Sequence, residues 1–79
     1  MDKIFSTKIS EHQGHLFEVG LLASYDGIRQ WWRVEIRLLD SNGHPVENGA
    51  ILLDEQFVEV AIAEEAGVKA AHRLVEERL

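Results

Sequence analysis

Apolar and polar residues alternate most cleanly between Trp31 and Leu39, where Trp32, Val34, Ile36 and Leu38 interleave with Arg33, Glu35 and Arg37. A period of two sends successive side chains to opposite faces, so this stretch predicts a strand with one plainly apolar face. Upstream, His15 to Ala23 predicts another strand, with Phe17, Val19 and Leu21 on one side and Leu16, Glu18, Gly20 and Leu22 on the other. Both sides of it carry apolar surface, so its own pattern does not choose the inward face. Residues 3 to 9 alternate imperfectly and predict, within residues 1 to 10, an extra edge strand or a frayed end. Ala50 to Leu53 predicts a third main strand, following Pro45, which excludes helix locally.

Turn chemistry links these segments. Glu11 to His15, centred on Gly14, reads as a turn or loop leading into the following strand. Asp26-Gly27 and Asn42-Gly43 are hairpin signals, because glycine accepts the positive φ that a tight turn between antiparallel strands demands. Val46-Glu47-Asn48-Gly49 is compatible with a loop or a bulge.

Beyond Phe57 the period changes. Ala63, Ala66, Gly67, Ala70, Ala71, Leu74 and Val75 recur at three- and four-residue steps, while Glu64, Glu65, Lys69, His72, Arg73, Glu76 and Glu77 fall mostly opposite. That pattern predicts an amphipathic helix beginning near Glu59. Glu59, Glu64 and Glu65 near its start and Arg73 and Arg78 near its end would suit the helix dipole. Gly67 costs a helix interior about 1 kcal/mol relative to alanine, and its place on the small-residue stripe implies a close helix-to-sheet approach in compensation. The predicted fold is α+β: one domain over residues 1 to 79, an antiparallel three- to four-stranded meander with a C-terminal helix across one face.

Composition narrows the function classes. The chain has 79 residues, enough for one thin core, and no cysteine, which removes disulfides, thiolate catalysis and cysteine-ligated zinc and suits a reducing cytoplasm. The N-terminal residues lack an apolar run with a small-residue cleavage site, and no long apolar run predicts a membrane span. The net charge of -6 is uneven: residues 1 to 40 hold five Lys or Arg against six Asp or Glu, and residues 41 to 79 hold three against eight. A field of that sign repels phosphate backbones and weighs against general nucleic-acid binding.

Gly14-His15-Leu16-Phe17-Glu18-Val19, Asp26-Gly27 before Trp31-Trp32-Arg33-Val34, and the helical series Phe57, Ala63, Gly67, Ala71, Val75 and Glu76 together make residues 12 to 77 resemble a scattered class of small, uncharacterised bacterial β-β-β-α domains. The resemblance implies the fold just described and supplies no catalytic residue. It departs at the helix start, where such domains carry Thr or Ser two residues after the aromatic and this chain has Glu59.

Candidate chemistry is sparse. His12 and His15, with His44 or His72, offer nitrogen ligands, but no His-x-x-x-His pair or flanking carboxylate set accompanies them, so loop histidines are the simpler reading and no metal or cofactor is expected. Glu64 and Glu65 point about 100° apart on a helix and do not converge as an acid/base pair. With no phosphate loop or nucleophile elbow, an enzyme is not expected. The expected functional surface is the sheet face away from the helix, where Trp31, Arg33 and Arg37 align and Tyr25 stands nearby. Aromatic and arginine side chains are favoured binding anchors, which points to a protein partner or self-association; single-stranded nucleic acid is the alternative. A blander reading also fits, in which Trp31 covers a small cluster with Leu22 or Leu52 and the arginines pair with Glu18 or Glu35.

Overall fold

The computed structural model describes residues 3–25 and 27–78, and side chains from residue 7 onward. Four strands, β1 (Lys3–His12), β2 (His15–Tyr25), β3 (Gln30–Leu39) and β4 (Pro45–Leu52), form one antiparallel sheet in chain order, and the helix α1 (Val60–Glu77) follows. The α+β meander is therefore four-stranded, and its N-terminal strand extends beyond residues 3 to 9, through to His12.

The β1–β2 connection is a two-residue turn in which Gln13 and Gly14 both take positive φ, 52° and 82°. Left-handed backbone at both central positions matches the right-handed twist of the flanking strands. At the β3–β4 turn, the Asp40 carboxylate accepts from the amides of Asn42 and His44, both at 2.9 Å, and the Gly43 amide donates to the Asp40 carbonyl. These amide donors, His44 foremost, hold the Asp40 carboxyl below its ordinary value. The Asp26 part of the expected β2–β3 turn lies outside the described residues.

Residues 46–49 resolve as an irregularity within β4. Arg37 pairs with Ala50 and Leu39 with Pro45, so four β4 residues stand opposite Leu38 alone. Asn48 takes a φ of 58°, and the Arg78 guanidinium donates to its carbonyl at 2.8 Å, tying the end of α1 to this bulge. Past β4 the chain returns to the β3 edge, where Trp32 and Phe57 exchange backbone hydrogen bonds of 2.6 and 2.8 Å.

The inward face of β2 is that of Phe17, Val19 and Leu21, which pack with Val34, Ile36 and Leu38 of β3 beneath Ala63, Ala71 and Val75 of α1. Gly67 completes the buried helical stripe at four-residue spacing. A Cβ built there would lie 2.6 Å from Val19 Cγ1 and 2.8 Å from Val34 Cγ1, closer than side-chain carbons approach. The small residues thus seat α1 directly on β2 and β3. The expected dipole match is only partial: the first turn of α1 contains no acid and its last turn no base, because Glu64 and Glu65 begin a turn too late and Arg78 lies past the final helical residue. Glu59 is the N-cap and makes no side-chain capping bond.

Candidate protein-interaction surface

Register places three of the four expected surface residues together. Trp31 stands opposite Ser24, Arg33 opposite Leu22, and Arg37 opposite Glu18, all on the face turned away from α1. Glu35 lies between the two arginines, opposite Gly20, and Leu52 and Ala50 of β4 continue the rows. On the β1 side the same face carries Thr7, Ile9 and Glu11. Tyr25 does not join them. It pairs with Gln30 and by alternation belongs to the other face, two residues beyond Ala23, where it is 66% exposed at the end of the sheet.

Arg37 donates to Glu35, two residues away on the same strand, at 2.7 Å and lies 4.0 Å from Glu18 on the neighbouring strand, so its charge is engaged within the face, mainly along β3 and not across strands as the blander reading had it. Trp31 is half-buried, and its indole Nε1 is buried without an acceptor among the described residues. A buried donor left unpaired costs about 1–3 kcal/mol. Beside it, Arg29, Gln30, Trp31, Gln56 and Val58 line an open hollow of about 380 Å³. Ile28 and Val58, exposed at 87% and 81%, extend the apolar surface at this end of the molecule.

The opposite end is rich in histidine. His12 and His72 stack with ring centroids 3.9 Å apart and planes 8° from parallel, and Phe17 meets His72 edge-on. His12 Nε2 also lies 2.8 Å from a Glu76 carboxylate oxygen. This cluster joins residues sixty-four apart in the chain, and nothing in local spacing announces it. Among the described residues no group of three His, Cys, Asp or Glu is arranged to hold a metal ion. His15 borders a different hollow, with Leu16, Val75 and Arg78, and His44 belongs to the β3–β4 turn.

A second open groove, about 440 Å³, runs between β1 and α1 over a floor of Val19 and Leu21, with Ala61 and Val68 on its helical wall and Lys8, Glu64 and Lys69 at its rim. It exists because α1 packs mainly over β2 and β3 and meets β1 at His12, leaving that face of β1 open beside Lys8. Among the described residues no helix is long and apolar enough to cross a membrane. The fold and this surface define a four-stranded antiparallel meander backed by one helix, with one sheet face uncovered. Comparison of the chain with protein-family models, with curated proteins and with solved structures finds no match.

Proposed function

We propose that this chain is a noncatalytic protein-interaction module that works through the sheet face turned away from α1 and self-associates through that face or a sheet edge. The observation that carries this reading is the half-buried Trp31 beside Arg33, with an indole donor that lacks an acceptor among the described residues. A partner supplying a carbonyl or carboxylate there would satisfy the donor while covering the aromatic ring, the combination that concentrates binding energy at interfaces. Single-stranded nucleic acid is the weaker reading, since a phosphate backbone on the same face would meet Glu11, Glu18 and Glu35, and Arg37 is already engaged. A cysteine-free chain suits work in the cytoplasm.

The test compares the native protein with Trp31→Ala and Arg33→Glu in partner capture, in oligomeric state and in amide-shift mapping. Loss of a captured partner or of self-association in these variants, with the fold retained, is the expected result. Unchanged partners and oligomeric state in both variants refute the surface. Salt-sensitive binding of short RNA or DNA that disappears in Trp31→Ala would replace this reading with the nucleic-acid one.

A further inference from the structure

The outer edge of β1 has no neighbouring strand among the described residues. Which of its backbone groups face outward follows from the turn beside it. In a two-residue turn with both central residues left-handed, the flanking residues, here His12 and His15, form a hydrogen-bonded pair. Such pairs recur at every second residue, so Ser10 and Lys8 direct their amides and carbonyls to Phe17 and Val19 of β2. Thr7, Ile9 and Glu11 therefore point theirs outward. The register is regular from Ser6 to His12 and shifts only between Ile4 and Ser6, which bounds the usable edge.

We propose that β1 pairs with β1 of a second copy, antiparallel about a twofold axis at Ile9, to make one continuous eight-stranded sheet. This deepens the self-association in the proposed function by naming its partner and register. Five registers put outward groups opposite one another, with the axis at Thr7, Lys8, Ile9, Ser10 or Glu11. An axis at Glu11 sets two carboxylates face to face and one at Lys8 two ammonium groups, an axis at Thr7 carries the seam into the irregularity after Ile4, and one at Ser10 runs the seam past His12 into the turn and leaves two facing pairs. The axis at Ile9 avoids all four. Ile9, 58% exposed, meets its own copy, and Thr7 meets Glu11 of the second copy. On the other face Lys8 meets Ser10, so no like charges oppose each other across the seam. Each facing pair exchanges two hydrogen bonds, about six in all. α1 packs mainly on β2 and β3 and meets β1 at His12, and the groove above Val19 and Leu21 in each copy opens onto a shared trough. A seam this narrow falls at the small end of specific interfaces and gives an exchanging dimer. The charge of -6 on each copy opposes it at low salt, so association tightens as salt rises.

Sedimentation equilibrium on the full chain at rising concentration and salt tests this with Ile9→Pro. The Ile9 amide faces outward, so proline spares the β1–β2 ladder while deleting the central bond of the seam twice over. The expected result is a native circular-dichroism spectrum with a dissociation constant raised at least tenfold. In the cysteine-free background Ile9→Cys should form a disulfide dimer under mild oxidation, whereas Glu11→Cys should not, which keeps the register testable if the proline variant fails to fold. A native protein that stays monomeric at millimolar concentration, or association indifferent to Ile9→Pro, overturns the proposal. So does a Glu11→Cys dimer formed in preference to the Ile9→Cys one. If association is lost in Trp31→Ala and kept in Ile9→Pro, the open face stands and the β1 seam fails; the reverse pattern keeps the seam and removes the face.

Discussion

Replacing Gly67 weighs two opposed terms whose sizes the structure sets apart. In a solvent-facing helical position, glycine to alanine stabilises by about 0.8–1 kcal/mol through propensity, and glycine to leucine by slightly less. At Gly67 the first added carbon would arrive 2.6 Å from Val19 Cγ1 and 2.8 Å from Val34 Cγ1. Both neighbours are β-branched residues in the core, with a stiff χ1 and little room to turn aside, so α1 itself has to lift. Overpacking of this kind costs typically 1–3 kcal/mol, more than propensity returns. Gly67→Ala should therefore be destabilising by up to about 2 kcal/mol net, and Gly67→Leu more so. Urea unfolding reads the change: with a slope near 1 kcal/mol/M for a chain of this size, the midpoint of Gly67→Ala should fall by up to roughly 2 M at unchanged slope. Adding Val19→Ala removes one of the obstructing methyls, so the double variant should lose less than the sum of the singles, with a coupling of about 0.5 kcal/mol or more. A raised midpoint for Gly67→Leu would refute the close helix-on-sheet approach, and with it the assignment of the opposite face as the uncovered one.

Two further outcomes follow from side-chain contacts. The lowered pKa of Asp40 means that its bonds to the His44 and Asn42 amides stabilise the turn fully above its unfolded value near 3.8 and are lost as pH falls through the lower folded value. Amide exchange at Asn42 and His44 should accelerate below about pH 4 and should already be fast at neutral pH in Asp40→Ala; insensitivity to both changes would dismiss the carboxylate as the turn's closure. His12→Ala removes the stack on His72 and the contact with a largely exposed Glu76, so chemical denaturation should register a loss of roughly 1 kcal/mol, most of it from ring packing because exposed pairs contribute little.

Local patterns carried most of the fold. The alternation around Trp32 to Leu38 and the small-residue stripe around Gly67 each require one kind of element, so strand, helix and contact face were legible without any long-range information. The inward side of β2 was not, because Leu16 and Leu22 make its outer side apolar too; only its register against β3 decides that Phe17, Val19 and Leu21 meet the helix. Tyr25 shows the same limit at a strand end, where placement depends on a parity that the turn residues obscure. Pairing of Arg37 with Glu35 was available from strand alternation alone, which puts residues two apart on one face. The buried state of the Trp31 indole nitrogen was not, since it depends on what neighbouring strands place around the ring. The His12–His72–Glu76 contact spans the whole meander, and short-range spacing has no access to it.

Strand order identical to chain order also bears on how the molecule forms. Every pairing among the four strands joins consecutive segments, so each hairpin closes a short loop before any distant contact is needed, and the seating of α1 on the sheet draws remote parts of the chain together. The short hairpin loops favour early formation of the sheet, with the arrival of the Gly67 stripe over Val19 and Val34 as the later event. β1, with β2 as its one neighbouring strand among the described residues and no broad helical cover, is then the segment that opens at least cost from the native state. Its amides should exchange ahead of those in β2 and β3, which gives the outermost strand a separate opening equilibrium within an otherwise cooperative fold.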